Sequence, residues 1–117
     1  MKVYLSLPIT GYDEMERRTY AARMCGTLTY EHEGWEVINP FLVAVRLRKE
    51  RLEKGDFSLP SYDELMRADI EVLKGCELAI FCPGWHTSDG CREEMWESWW
   101  HGIKVGFVNE EGEVRFS

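Results

Sequence analysis

Cys82-Pro83-Gly84-Trp85-His86-Thr87-Ser88-Asp89-Gly90-Cys91-Arg92-Glu93-Glu94 is the stretch whose reading decides the fold. The apolar run before it, from Leu78 to Cys82, reads as a strand, and Pro83-Gly84 ends it. A short polar turn follows, and a helix is predicted to begin near Ser88 or Asp89 and to run to His101. In open α/β sheets, ligands sit beyond the carboxyl ends of the strands. A helix N-terminus there offers free backbone N–H groups and a partial positive charge, which suit an anion. Ser88 either caps the helix or hydrogen-bonds a ligand. Gly90 allows close approach to the backbone.

The helix wheel singles out Glu94. At about 100° per residue, Cys91, Glu94, Met95 and Ser98 share one face, and Trp96, Trp99 and Trp100 share another. Glu93 and Glu97 point elsewhere. A carboxylate on a packing face needs partners or a purpose. The alternative to a functional role is a Glu that snorkels to water or pairs with a cation.

Outward from this stretch, the remaining elements fall into place. Lys2 to Leu7 reads as a strand ended by Pro8-Ile9-Thr10-Gly11. Asp13 and Glu16 have capping-box spacing for a helix that carries Tyr20, Ala21, Met24, Cys25 and Leu28 on one stripe, runs to about Glu33 and stops at Gly34. Trp35 to Ile38 is a second strand, which makes the first forty residues a βαβ unit. Val43 to Lys54 forms a basic helix, Gly55 to Pro60 a loop, and this region is either a solvated face or a lid over a cleft. Ser61 and Glu64 start a further helix, to Lys74, with Gly75 as its stop. Asp69 falls in the middle of its apolar face, so it is either a second functional carboxylate or an exposed residue misplaced by the wheel. Lys104 to Val108 is a fourth strand, and Glu113 to Phe116 adds an edge strand. The pattern predicts one α/β domain over residues 1–117: a small, flavodoxin-like, three-layer fold with a parallel sheet of four or five strands in order 2-1-3-4(-5).

Composition narrows the function. The net charge of −7 disfavours a DNA or RNA polymer as partner but not a single nucleotide. No apolar run approaches membrane-spanning length. Cys25, Cys76, Cys82 and Cys91 show no Cys-x-x-Cys pair, and His32, His86 and His101 show no metal spacing, so no metal is expected. Widely spaced cysteines in apolar runs and the absence of a signal peptide point to reduced thiols in a cytoplasm. Dinucleotide-binding, P-loop and nucleophile-elbow motifs are missing, and no cofactor is expected. Trp85 either stacks on a base or covers the sheet edge. His86 is an exposed turn residue or a ligand contact. Three tryptophans on one face of the last helix predict a homodimer or larger assembly through Trp96, Trp99 and Trp100, unless flanking helices cover them.

Val3-Tyr-Leu-Ser-Leu-Pro-Ile-Thr-Gly11, Gly34-Trp-Glu-Val-Ile-Asn-Pro40, Ala68-Asp-Ile70 and Gly84-Trp-His-Thr-Ser-Asp-Gly-Cys-Arg-Glu-Glu94 together resemble the nucleoside 2-deoxyribosyltransferase-like superfamily. The likeness is to its small, often phage-associated group, related to the 2′-deoxynucleoside 5′-phosphate N-hydrolases, and it covers most of the chain apart from residues 41–60. It implies cleavage of an N-glycosidic bond through a carboxylate on a helix, and often a homodimer or larger assembly. The family's Glu lies six residues after a polar residue and four after a glycine, which Ser88, Gly90 and Glu94 match. By the same resemblance, Asp69 handles the proton on the leaving base, Tyr4 contacts the nucleophile or the sugar, and Pro8, Ile9, Thr10 and Gly11 form the turn near the substrate. The N-hydrolases have Gly-Ser where this chain has Leu7-Pro8, which removes a hydroxyl and an N–H from that turn. The expected substrate is a 2′-deoxynucleoside 5′-monophosphate or nucleoside, with a non-catalytic nucleotide sensor on the same fold as the alternative.

Overall fold

The computed structural model describes residues 1–116. Five strands and four helices follow in the order β1 (Lys2–Ser6), α1 (Glu14–Glu31), β2 (Glu36–Ile38), α2 (Pro40–Glu53), α3 (Tyr62–Lys74), β3 (Leu78–Phe81), α4 (Asp89–Trp100), β4 (Lys104–Val108) and β5 (Val114–Phe116), with a single 3₁₀ turn at Trp85–Thr87. The sheet order is β2-β1-β3-β4-β5, as the sequence predicts. β1, β2, β3 and β4 are parallel, with Val3 opposite Val37 and Leu78, and Ile80 opposite Gly106. β5 corrects the all-parallel expectation: it runs antiparallel to β4, with Val108 opposite Val114. The turn that precedes it is too short for the crossover a parallel strand requires.

Strand alternation builds the two cores. Val3, Leu5, Leu7, Leu78, Ile80 and Cys82 face α1, which brings Ala21, Met24 and Leu28. Tyr4, Ala79 and Phe81 face the other way, toward Leu73 of α3 and Met95 of α4. Tyr4 and Ser6 therefore point into the layer that contains α3 and α4, and everything that shapes the site follows from this.

Caps set where the helices begin. Asp13, Asn39, Ser61 and Ser88 are the four N-caps, each accepting from a backbone amide in the first turn. Ser61 and Glu64 form the complete reciprocal box. α2 begins at Pro40, capped by Asn39, three residues before the expected Val43, and α3 ends at Lys74 before Gly75 as expected. α1 stops at Glu31, because His32 is extended and stacks on Trp35 at 3.8 Å between ring centroids. Gly75 caps α3 with φ −84°, so its left-handed freedom is not used there. Gly84, by contrast, has φ 86°, and this left-handed turn ends the β3 run as the Pro-Gly pair predicts.

Candidate active site

Glu94 is 6% exposed, and its carboxyl is pinned from β1. Tyr4 Oη donates to Glu94 Oε2, and Ser6 Oγ donates to Oε1 at 2.7 Å. On α4 the buried residues are Cys91, Glu94 and Ser98, the face the wheel assigns. Ser98 Oγ donates to the Glu94 carbonyl at 2.7 Å. Glu94 thus neither snorkels nor forms an ion pair: among the described residues, no Lys, Arg or His lies within salt-bridge distance of it. Two neutral hydroxyls satisfy it, and each carboxylate oxygen keeps a lone pair for chemistry.

Burial raises Glu94 to about 7 against the lowering effect of the Tyr4 and Ser6 hydrogen bonds, and the charges of Asp69 and Glu93 raise it further. Burial likewise pushes Asp69 up to about 7. Tyr4 is held well above its ordinary value, chiefly by burial and then by the negative charges of Glu94 and Asp69, so its hydroxyl remains a donor. Both carboxyls therefore titrate near neutral pH.

Both carboxyls open into one cleft of about 570 Å³, a size typical of small-molecule sites. It lies at the carboxyl ends of β1 and β3. The turn after β1 contributes Ile9 and Thr10, α3 contributes Tyr62, Leu65, Met66 and Asp69, and the first turn of α4 contributes Ser88, Gly90 and Cys91. Ser88 Oγ accepts from the Cys91 amide at 3.3 Å, and its hydroxyl also hydrogen-bonds the Cys91 side chain, which works against the burial that raises that thiol. Asp89 pairs with Arg92, which partly offsets its charge beside the cleft. Among the described residues, no lysine, arginine or histidine lines the cleft. A separate depression of about 430 Å³ lies at the amino ends of β1 and β2, between Lys2, Arg46 and Glu71, and no buried polar side chain lines it.

Of the residues that the sequence places at the site, Glu94, Asp69, Ser88, Gly90, Ile9 and Thr10 meet at this cleft. Tyr4 is buried behind Glu94, to which it donates, and does not itself line the cleft. Three further residues placed there by the sequence, Trp85, Pro8 and Gly11, do not line the cleft, and of the two alternatives for Trp85 the structure has it covering the sheet. The Trp85 ring packs against Phe81 and Phe107, 5.6 Å from each, and does not line the cleft. Pro8 is buried in the fold beside Gly84. Gly11 has φ 88° in an exposed turn closed by the Tyr12 amide on the Ile9 carbonyl. No residue of the basic helix or of the loop after it, residues 43–60, lines the cleft, although Pro40 at the start of α2 does, and Arg51 pairs with Glu64 and ties the end of α2 to the start of α3. His86 lies outside the cleft, exposed. Sequence reasoning missed Ser6, although its position two residues after Tyr4 on a strand was a signal. It also missed Tyr62, Leu65 and Met66, for which no local signal exists.

The sheet, the cleft and the two carboxyls on it, Glu94 buried and Asp69 half-buried, define a three-layer α/β protein whose polar centre lies at the carboxyl ends of its strands. Residues 1–106 match the family model described as "Domain of unknown function (DUF4406)", and the chain belongs to that family. No curated protein and no solved structure matches the chain. Among the described residues, no helix is long and apolar enough to cross a membrane, and no cluster of His, Cys, Asp and Glu could hold a metal ion.

Proposed function

We propose that this protein cleaves the N-glycosidic bond of a 2′-deoxynucleoside 5′-monophosphate, as an enzyme of the nucleoside 2-deoxyribosyltransferase-like superfamily, with Glu94 as nucleophile. The observation that carries this reading is the buried Glu94 carboxyl, held by Tyr4 and Ser6 and opening on the same cleft as Asp69. Two carboxyls near neutral pKa can divide the duties of nucleophile and acid. A Glu94 oxygen attacks C1′ as the C1′–N bond breaks. The bonding electron pair leaves with the base, and the Asp69 proton goes to the base nitrogen. Water, deprotonated by the Asp69 carboxylate, then releases the sugar from Glu94; a second base in place of water gives transfer. Gly90 lies four residues, about 6 Å along the helix axis, ahead of Glu94, and Ser88 six residues, about 9 Å, ahead of it. With C1′ at Glu94, the 5′ side of the sugar reaches toward the first turn of α4, where hydroxyl and amide donors favour an anion such as the 5′ phosphate.

The test is incubation with the four deoxynucleoside monophosphates and chromatography for free base. Binding without base release would favour a nucleotide sensor on the same fold. The four cysteines are free thiols, which suits a reducing cytoplasm.

The same reading includes a homodimer through α4. Trp96, Trp99 and Trp100 are 59%, 67% and 66% exposed and touch one another, with centroids 5.5 to 6.4 Å apart. No neighbouring helix covers them. At 150–250 Å² per ring they present roughly 300–500 Å² of apolar surface, about half of one partner's share of a standard interface. A two-fold axis would pair this patch with itself.

A further inference from the structure

We infer that Tyr62 is the specificity-determining residue for the 5′ group, its hydroxyl donating to the phosphate held at the first turn of α4. The inference rests on the N-glycosidase reading and deepens it. Tyr62 is the first residue of α3, and its backbone is fixed from two sides. Ser61 and Glu64 close the capping box around it, and Glu64 also pairs with Arg51 of α2. From this anchor the side chain spans the cleft mouth to α4. Its hydroxyl and the Met66 sulfur each lie 3.5 Å from where a Cβ on Gly90 would sit, and Ser88 Oγ lies 4.0 Å from the same point. Two hydroxyls from different helices therefore converge on one side of the α4 first turn, and the missing side chain of Gly90 leaves the gap between them. The Tyr62 hydroxyl makes no hydrogen bond to another described residue. Burial and then the charges of Glu93, Asp89 and Glu94 raise its pKa, so it stays a neutral donor. Because, among the described residues, no cation lines the cleft, a phosphate there is recognised by neutral donors, and the loss of one is felt in full.

The experiment is isothermal titration of Glu94→Gln and of Glu94→Gln/Tyr62→Phe with each of the four deoxynucleoside monophosphates and the matching nucleosides. Tyr62→Phe is expected to weaken monophosphate binding about tenfold and to leave nucleoside binding within about twofold. In the protein with Glu94 intact, Tyr62→Phe should raise KM by a similar factor and leave kcat nearly unchanged. Unchanged monophosphate affinity overturns the assignment, as does an equal loss for nucleoside and monophosphate, since either places Tyr62 away from the 5′ group. A selective loss of monophosphate affinity, with no base release from wild type, would retain Tyr62 as a phosphate reader and overturn the N-glycosidase reading alone.

Discussion

Tyr4 in the first strand donates its phenolic proton to Oε2 of Glu94 in the last helix, 90 residues away in sequence. This bond ties the sheet to the helix that carries the proposed nucleophile. It also favours the ionised form of Glu94 against the burial that opposes it.

Tyr4→Phe removes one of the two donors. The Glu94 pKa then rises, and the acid limb of the kcat/KM–pH profile shifts to higher pH. Base release at pH 6 should fall more than at pH 8, because the lost effect is on ionisation. A uniform drop across pH would mean that Tyr4 only packs.

Glu94→Gln should abolish base release and make the fold more stable. The sign follows from linkage: the folded pKa of about 7 lies above an unfolded value of about 4.3. Between these values the folded state binds more protons, so stability falls as pH rises through the window and levels off above it. The glutamine variant lacks this dependence. Urea unfolding at pH 5 and pH 8 should show its advantage growing to on the order of 1–3 kcal/mol. Glu93→Gln, on an exposed position, should change neither quantity much, and a larger loss of activity there would move the nucleophile to Glu93.

Asp69→Asn keeps the shape of the side chain but removes the proposed acid. Base release should fall by about 10²–10⁴, and the alkaline limb near pH 7 should disappear from the profile, because that limb reports loss of the Asp69 proton. A nucleotide with an activated leaving base should recover much of the rate. Full activity with an unaltered profile would assign the proton to another group.

Trp96→Glu/Trp100→Glu should leave a monomer. Light scattering at tens of micromolar, roughly where an ordinary specific interface is occupied, should report a dimer for wild type. A monomeric wild type at that concentration rejects the interface.

Local patterns were enough to read the sheet order, three of the four caps (Asp13, Ser61 and Ser88) and the face of α4 that carries Glu94, whereas Asn39, which caps α2, read only as the end of β2. Each depends on residues within a few positions: alternation along a strand, a Ser or Asp before a helix, and a period of about 3.6 along one. Asp69 was visible in the same way, as a carboxylate inside an apolar stripe. The walls of the cleft were not. Tyr62, Leu65 and Met66 read as an ordinary helix start, and they line the cleft beside Gly90 only because α3 and α4 pack side by side on one face of the sheet. Trp85 and Pro8 sit in the turns that sequence marks as functional, yet the fold uses them to cover Phe81 and to support Gly84. The antiparallel hand of β5 depended on the length of its turn against β4. Periodicity specifies which way a side chain leaves its own element; which neighbour it meets is set by the packing of elements distant in sequence, and only the tertiary structure decided that.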